Sequence, residues 1–290
     1  MIESIAYGII NGVLVALLAV ALTMHYKISR YFDFFLPSLV LLGGYLFYVC
    51  SYELKIPFVL AIITSGLLCL LSALLIDLLV LTPLHRIAAS RAILLLSSLG
   101  GYIIVISALG MAFGSATKVA RLGLENTTNL LGIQIPIIRL WLFTYAVAFL
   151  IALALLIHGT RLGRLLYAAF DSSDLLEACG YDRDSLRRII YSIAGLLAGV
   201  CGALLATDIG VEPTGAMPIF LIAATAVIVG GAGRLASAVY ACLALTILRA
   251  LLIWIFPAQW NETVIYAILF CFLCLRPQGI FPLRHSEYFS

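Results

Sequence analysis

Nine stretches of this chain are apolar and close to the length of a membrane-crossing helix, and they constrain its fold more than any other feature. A helix needs about 20 apolar residues to cross the hydrocarbon core of a bilayer. The runs fall near 5–24, 34–50, 57–79, 91–113, 139–158, 188–209, 218–231, 235–255 and 263–275. Because a spanning segment must satisfy its own backbone polar groups, such runs fold as helices. The sequence predicts an all-α polytopic integral membrane protein with about eight or nine membrane segments.

Composition excludes an ordinary soluble domain. Hydrophobic residues make up 64% of the 290 residues and charged residues only 11%, whereas soluble domains are about a quarter charged. The formal net charge of +3 is too small to indicate nucleic-acid binding. Since the chain has no long Pro/Ser-rich linker, we expect residues 1–290 to form one transmembrane domain. The first apolar run has no basic region before it, so we expect a retained helix there.

The basic residues predict the orientation of the chain. If every run crosses once and residues 160–188 are cytoplasmic, the N-terminus lies outside and the C-terminus inside. Twelve of the 17 basic residues then lie on the inner side and four on the outer side, with Arg249 inside a helix. Basic residues are enriched in cytoplasmic loops, so this bias favours the stated orientation. The longest outer loop is then 114–138, with a small hairpin or short helix expected in it.

Two of the runs, 34–50 and 218–231, are short and have a glycine pair close by. Short or interrupted helices at membrane depth are tolerated inside protein and often mark a transport path. Asp33 directly precedes the run 34–50 and is expected either to cap that helix or to contact a solute. The residues that we expect along a path or gate are Asp33, Phe34, Ser38, Ser97, Ser98, Thr225, Gly230 and Gly231.

One long charged segment, at 160–188, interrupts the apolar sequence. Within it Asp171, Asp174 and Glu177 recur three residues apart, with Leu175 and Leu176 between them. This spacing predicts a short amphipathic helix, and Gly180 is its stop signal. Such a helix suits docking into a groove of a cytoplasmic partner.

The sequence contains none of the common motifs for nucleotide hydrolysis or hydrolytic catalysis. It has no GxxxxGK[ST], HExxH or GxSxG motif. Cys271 and Cys274 form a CxxC inside an apolar run without further ligands, so we expect no metal site. The chain is not expected to be an enzyme. Three classes remain: an ATP-driven permease, an ion-coupled carrier and a polytopic membrane enzyme. A carrier usually needs a buried carboxylate or an unwound ion site, and the middle of the apolar runs is nearly free of charge. An enzyme would need a cluster of His, Asp or Cys at one membrane face, and none is visible in the sequence.

Three ionisable residues lie in or at the ends of predicted spans, namely Asp77, Asp208 and Arg249. A charge at the bilayer centre costs roughly 2.5–3.5 kcal/mol or more, so these residues should face protein or water. Small residues at 195, 199 and 202 form a face that permits close helix approach. That face suits packing within this chain or against another subunit.

Four blocks of sequence resemble the permease subunits of ATP-binding-cassette importers of the branched-chain amino-acid type. Residues 275–281 are similar to the family's RPQG-[LI]-F signature, and residues 226–233 resemble its AVVLGGLG block. Residues 33–45 align without gaps to NFAxGxxxxLGAY, and residues 163–180 to the cytoplasmic-loop pattern GRxLRAxAxxxxxAxLxGI. The blocks occur in the family order and span almost the whole chain.

The resemblance implies a set of partners and a role for the charged segment. It implies a second permease subunit, which is either a copy of this chain or, by preference, a different chain. It also implies two cytoplasmic ATPase subunits that bind ATP and Mg, and an extracytoplasmic substrate-binding protein. It places the chain in the cytoplasmic (inner) membrane of a bacterium or archaeon, with no cofactor of its own. The coupling residues would be Asp171, Asp174, Leu175, Leu176, Glu177 and Gly180.

The chain departs from the family pattern at positions where substrate contact or gating is expected. Asp33 stands where Asn is usual, Pro37 replaces a Gly and Tyr167 replaces an Arg. The resemblance therefore implies import of a small polar solute, with branched-chain or other amino acids first. Relatives of this type also carry urea, short amides and other small solutes, so these stay as alternatives.

Overall fold

A computed structural model describes most of the chain. The described residues are 2–119, 127–130, 133–160, 163–165, 182–231 and 235–252, with the separate helical positions 263, 264, 266, 267, 270, 271 and 274. Every structural statement below concerns these residues.

The described residues form an α-helical membrane protein with one small β-hairpin. The first half holds α1 (Ile2–Ser29), α2 (Phe35–Tyr48), α3 (Phe58–Ile76), α4 (Thr82–Arg86) and α5 (Arg91–Phe113). The second half holds α6 (Ile137–Gly159), α7 (Arg183–Asp208), α8 (Ala216–Gly230) and α9 (Leu235–Leu252). Seven continuous helical stretches among the described residues are long and apolar enough to cross a membrane, and α8 is a shorter apolar helix. The predicted all-α polytopic fold is confirmed.

The hairpin lies in the loop that the sequence places outside. Strand β1 (Thr127–Leu130) pairs antiparallel with β2 (Ile133–Pro136), with Thr127 opposite Pro136 and Leu130 opposite Ile133. Helix α6 starts directly after β2 at Ile137. Of the two structures expected in the outer loop, the chain therefore adopts the hairpin.

The two runs that looked short in the sequence differ in the structure. Helix α2 continues through a wider π-helical turn, Val49–Glu53, so that Phe35–Glu53 forms 19 continuous helical residues. The run looked shorter because its last turn is polar. In contrast, α8 has only 15 residues. Since a helix rises 1.5 Å per residue, α8 is shorter than the hydrocarbon core is thick.

Helix α7 begins five residues before its apolar run. The Asp182 side chain accepts hydrogen bonds from the backbone N–H groups of Asp184 and Ser185, both at 3.2 Å. Such a cap satisfies N–H groups that have no partner within the helix. The last residues of the segment predicted as a loop, Arg183–Arg188, therefore form the first turns of α7.

Three helices form the centre of the molecule and two form its rim. In an 18-residue apolar stretch taken from each helix, 83% of the residues are buried in α7 and 72% in α1, but only 22% in α5 and in α6. Most of the largest fully buried side chains, such as Leu17, Tyr45 and Tyr191, lie on α1, α2 and α7, and Phe220 lies on α8. Exposed leucines and isoleucines cover the rim helices, as expected for a surface that faces lipid or another apolar partner.

Glycines bring α7 against α2 and α3. A side chain added at Gly202 would collide with the carbonyl oxygen of Val40 on α2. One added at Gly199 would approach the Cys69 sulfur on α3 to 2.7 Å. The small-residue face of α7 is therefore used for packing within this chain.

Contacts at the two ends of the bundle agree with alternating helix directions. At the predicted outer end, Lys118 and Val211 form a backbone bridge, and Arg139 Nε lies 2.7 Å from Asp208 Oδ1. At the other end, Arg187 at the start of α7 pairs with Asp77, which directly follows α3. Residues that the charge bias places on the same side of the membrane thus meet in the structure.

Candidate translocation path

The loop between α1 and α2 holds Asp33 and connects it to α5. Asp33 is fully buried, and its Oδ1 accepts a hydrogen bond of 3.0 Å from the backbone N–H of Phe35, the first residue of α2. The neighbouring Phe34 N–H donates to Ser98 Oγ at 3.1 Å. Asp33 therefore contacts the helix start, as a capping residue does, and the predicted path residues Asp33, Phe34 and Ser98 lie together.

Asp33 belongs to a group of buried polar side chains that we call the inner polar cluster: His25, Tyr31, Asp33 and Tyr191. His25 Nε2 lies 3.8 Å from Asp33 Oδ2. The His25 ring lies 5.3 Å from the Tyr31 ring and 5.1 Å from the Tyr191 ring, measured between centroids. His25 Nε2, Asp33 Oδ2 and both tyrosine hydroxyls complete no hydrogen bond of ordinary geometry to any described residue.

Burial changes the acidity of Asp33. Desolvation raises the pKa of its carboxyl to about 6, although the hydrogen bond from Phe35 and the nearby Tyr191 and Ser98 side chains oppose this rise. Desolvation also raises the pKa of Tyr31. A carboxyl in an apolar site holds its proton to higher pH because the charged form loses hydration.

A buried ion pair lies beside this cluster and joins α7 to the end of α3. Arg187 Nε lies 3.2 Å from Asp77 Oδ1, and the side chains are 6% and 0% exposed. Arg187 also donates to Thr82 Oγ1 at 2.9 Å and to Asp184 Oδ1 at 2.9 Å. Asp77 was expected to face protein or water, and it faces protein. Its partner, Arg187, could not be identified from the sequence.

Helix α8, the second predicted path segment, meets the first through aromatic contact. The Phe220 and Phe34 rings lie 5.3 Å apart. Thr225 is fully buried, and its hydroxyl donates to the Leu221 carbonyl at 2.7 Å. Gly231 ends the helix with a φ of 94°, a conformation that glycine adopts without strain.

The remaining path residues have local partners or lie at the edge of the path. Ser38 Oγ donates to the Phe35 carbonyl at 2.6 Å. Ser97 is half-buried on α5. Gly230 lies directly against the Ser237 carbonyl on α9. In this conformation the hydroxyls of Ser38 and Thr225 donate hydrogen bonds to carbonyl groups of their own helices.

A cavity of about 270 Å³ lies between α2, α7 and α8 near the predicted outer end. Its wall is mostly apolar, with Val40 on α2 and Ile219 on α8, and Glu212 is the ionisable residue among its lining residues. Glu212 Oε2 accepts a hydrogen bond of 3.0 Å from Thr117 Oγ1. The two predicted path segments therefore border an outer cavity, and the segment 209–215 that lines it was not singled out in the sequence.

The predicted coupling residues lie outside the described residues. This applies to Asp171, Asp174, Leu175, Leu176, Glu177 and Gly180. The RPQG block at 275–281 and most of the glycine-rich turn after Gly231 also lie outside them. The described chain ends at 165 before this segment and resumes at Asp182, next to the Arg187 ion pair.

The fold and these polar sites define a class of protein: a multi-pass α-helical membrane protein with an ion pair at each end of a central bundle and a cavity near the predicted outer end. The family described as "Branched-chain amino acid transport system / permease component" matches residues 4–273. The chain belongs to this family, and its predicted family resemblance is confirmed.

Individual relatives support the same family. The chain is 24% identical to the high-affinity branched-chain amino acid transport system permease protein BraD of Pseudomonas aeruginosa, over 96% of this chain and 95% of the relative. It is 26% identical to the probable branched-chain amino acid transport permease protein LivH of Methanocaldococcus jannaschii, over 94% and 90%. It is also 31% identical to the autoinducer 2 import system permease protein LsrC of Yersinia enterocolitica, over 40% and 34%. No solved structure matches the chain.

Proposed function

We propose that this chain is the transmembrane permease subunit of an ATP-driven importer for a small polar solute. The match to the permease family over residues 4–273 is the observation that carries the proposal. Branched-chain or other amino acids are the first candidates for the solute. Urea, short amides or another small solute are the alternatives, because the chain departs from the family pattern around Asp33.

The proposed assembly contains four kinds of component. A second permease subunit, identical or different, completes the membrane part, and two cytoplasmic ATPase subunits bind ATP and Mg. An extracytoplasmic binding protein delivers the solute, and the complex resides in the cytoplasmic membrane of a bacterium or archaeon. The chain itself holds no cofactor in this proposal, and hydrolysis takes place in the partner subunits.

The amphipathic stretch 170–180, which we call the coupling segment, would transmit ATPase closure to the helices. Helix α7 starts three residues after it, and its first turns carry Arg187, which is bonded to Asp77 and Thr82. The same helix packs against α2 through Gly202. A displacement of the segment would therefore reach α3 through the ion pair, and would reach α2, which borders the proposed path, through the glycine contact.

The solute would pass along the side of the chain where α2 and α8 meet. The Phe34–Phe220 contact and the outer cavity beside α2 and α8 support this location. The residues proposed to line the path or act as a gate are Asp33, Phe34, Ser38, Ser97, Ser98, Thr225, Gly230 and Gly231. Because Thr225 is buried here, its exposure should change with the nucleotide state. A cysteine at Thr225 that resists water-soluble thiol reagents in every nucleotide state would locate the path elsewhere.

The proposal is tested by replacing Leu176 and Glu177 together with Ala and Arg. Leu176 would supply part of the buried face in the ATPase groove and Glu177 a contact to its basic residues. We expect the complex to reach the membrane while ATP hydrolysis no longer drives uptake. Replacing Ser172 and Ser173 with Ala is the matched control in the same segment and should leave uptake intact. Unchanged uptake in the Leu176/Glu177 variant would refute this role.

An ion-coupled carrier is the second candidate, and one observation favours it. Asp33 and His25 are buried and adjacent, and buried carboxylates often serve proton or ion coupling. The two candidates differ in their energy source. Uptake that follows a proton or sodium gradient in vesicles without ATP would support the carrier.

A further inference from the structure

A second cavity, of about 350 Å³, lies at the predicted inner end of the bundle, where α1 ends and α5 and α7 begin. Its volume is within the range of small-ligand sites, about 300–1,000 Å³. The polar part of its wall comes from these three helix ends and from α4, and consists of Ser29, Arg30, His85, Arg91, Asp184 and Arg187. Residues that are far apart in the sequence thus contribute charges to one concave site.

Positive charge is in excess at this wall. Arg30 and Arg91 are exposed, and neither forms an ion pair with a residue in the described part of the chain. Arg187 pairs with Asp184, at 2.9 Å, and with Asp77, which does not line the cavity. Even when both carboxylates are counted, the arginines outnumber them by one while the histidine is neutral. The wall therefore favours an anion.

A hydroxyl group on the same wall has no hydrogen-bond partner. Ser29 Oγ is shielded from solvent and makes no hydrogen bond with any residue that the structure describes. Buried polar groups in proteins are normally hydrogen-bonded, and a serine hydroxyl can donate to an anion. The cavity therefore combines two unpaired guanidinium groups with a hydroxyl that lacks an acceptor.

We propose that this cavity binds the phosphate group of an anionic phospholipid, with Arg30 and Arg91 as its charged partners and Ser29 as a hydroxyl donor. A guanidinium group can donate two parallel hydrogen bonds to phosphate oxygens. Anionic lipids concentrate in the cytoplasmic leaflet, and basic pockets between membrane helices on that side bind their headgroups. The inference goes beyond the proposed function, because it depends on neither the solute nor ATP.

The surface beside the cavity suits the acyl chains of a lipid. Helix α5 starts at Arg91, and side chains on its following turns, among them Ile93, Leu96 and Ile103, are exposed. Leu94 on the same helix lines the cavity itself. A free phosphate ion would use the arginines alone, whereas a phospholipid would use both the basic wall and the apolar surface next to it.

A headgroup bound here would hold the inner ends of three helices together. Arg30 directly follows α1, Arg91 is the first residue of α5, and Arg187 lies in the first turns of α7. Since α7 starts three residues after the coupling segment, the bound phosphate would also stabilise the end of the bundle nearest that segment. We therefore expect anionic lipid to make the folded chain more stable.

The experiment measures the thermal unfolding midpoint of the purified full-length chain in uncharged detergent with increasing amounts of added lipid. Phosphatidylglycerol, which is anionic, is compared with phosphatidylcholine of the same acyl chains, which has no net charge. We expect only phosphatidylglycerol to raise the midpoint, because a ligand that binds the folded state stabilises it. In the variant Arg30→Asn with Arg91→Gln, half of the effect should need roughly 10-fold to 30-fold more lipid, at about fivefold for each arginine.

The substitutions are chosen to separate binding from folding. Arg30 has a φ of 58°, in the left-handed region that asparagine tolerates better than most residues, so Arg30→Asn should not harm the fold. Arg86→Gln is the matched control, because Arg86 is exposed on α4 at the same end of the bundle but does not line the cavity. Arg86→Gln should keep the full response to phosphatidylglycerol.

Four outcomes would overturn the proposal. An unchanged lipid response in the Arg30/Arg91 variant would exclude these arginines, and an equal loss in Arg86→Gln would indicate a general attraction of the basic end. Inorganic phosphate that raises the midpoint as much as phosphatidylglycerol would replace the lipid with a soluble anion. Equal midpoints in the two lipids would favour a carboxylate of the coupling segment as the partner of the arginines. None of these outcomes bears on ATP-driven uptake, so the two proposals are tested separately.

Discussion

Asp33 shows how one carboxyl group contributes to local structure and also creates a buried polar site. One oxygen accepts the Phe35 N–H, and the other faces His25 without a completed hydrogen bond. The groups that face it are His25 from α1, Tyr31 from the loop, Ser98 from α5 and Tyr191 from α7, with Asp77 and Arg187 beyond them. Because desolvation raises the pKa of Asp33, ionising it costs more here than in water, although the carboxylate is still the main form at neutral pH.

The first prediction concerns the pH dependence of stability. Because the pKa of Asp33 is raised from 3.8 to about 6, the folded chain holds a proton that the unfolded chain releases between these values. The contribution of Asp33 to stability is then greatest at low pH and is lost as the pH rises through this window. Asp33→Asn, which keeps an acceptor for Phe35, should raise the thermal unfolding midpoint at pH 7.5 and change it little at pH 4.

An exposed carboxylate provides the control for this prediction. Asp182 caps α7, and the hydrogen bond from Ser185 holds its pKa below the usual value. The contribution of Asp182 is therefore present at neutral pH and is lost as the pH falls, so Asp182→Asn should not raise the midpoint at pH 7.5. A lower midpoint for Asp33→Asn at pH 7.5 would show that the charged carboxylate is stabilising where it lies.

The second prediction concerns the buried pair of Arg187 and Asp77. Removing one partner leaves an uncompensated buried charge, which costs about 3–5 kcal/mol. Arg187→Met should therefore destabilise the chain strongly, and the double variant Arg187→Met with Asp77→Leu should recover much of the loss. Denaturation of the purified single and double variants in detergent measures the loss of stability and its recovery. Arg188→Gln is the control, because Arg188 is adjacent in sequence but forms a more exposed pair with Asp182, and it should change stability little. If the effects of Arg187→Met and Asp77→Leu were simply additive, the pairing would be contradicted.

At the level of elements, the packing of α2 against α7 holds the centre of the molecule together. Gly202 lets the α7 backbone approach the Val40 carbonyl, and Gly44 lies near the carbonyl of Gly202 on the facing side. Small residues at such contacts allow dispersion interactions along the whole length of two helices. A larger side chain has no space there unless the helices separate.

The third prediction compares two glycines within apolar helices. Gly202→Val should prevent assembly or lower the yield of folded protein several-fold, because its side chain collides with backbone that cannot move aside. Gly100→Ala on α5 has open space around the added methyl group and should be tolerated. Size-exclusion chromatography of both variants in detergent provides the measurement, and normal elution of Gly202→Val would contradict the close α2–α7 contact.

Much of this arrangement could be predicted from the sequence, and the reasons for the rest are physical. Hydrophobic run length identified the helices because the bilayer demands it, and the spacing of glycines indicated close packing. The run length missed the π-helical turn at Val49–Glu53 and the early start of α7, since both contain polar residues. The partners of Asp77 and Asp208 could not be predicted, because Arg187 and Arg139 are distant in sequence and meet them only through helix packing.

At the scale of the whole molecule, the charge bias and the contacts agree on which helix ends belong together. The contacts of Arg139 with Asp208 and of Lys118 with Val211 define one end, and Arg187 with Asp77 defines the other. The absolute orientation remains a prediction from the basic residues. We expect the coupling segment on the cytoplasmic side and the hairpin outside.

The fourth prediction tests this orientation. A cysteine at Ser115, in the exposed turn after α5, should react with a membrane-impermeant thiol reagent added to intact cells. A cysteine at Ser172, in the coupling segment, should react only after the membrane is opened. The reverse pattern would invert the chain in the membrane, and the coupling segment would then be unable to reach a cytoplasmic ATPase.

The most direct test of the account is uptake by the complete transporter in proteoliposomes. The vesicles contain this chain with its second permease and two ATPase subunits, and the binding protein is added on the outer side. We predict accumulation of radiolabelled L-leucine that requires ATP on the ATPase side and is absent when the chain carries the Leu176/Glu177 substitutions. Accumulation that proceeds without ATP under an imposed proton or sodium gradient would contradict the central claim.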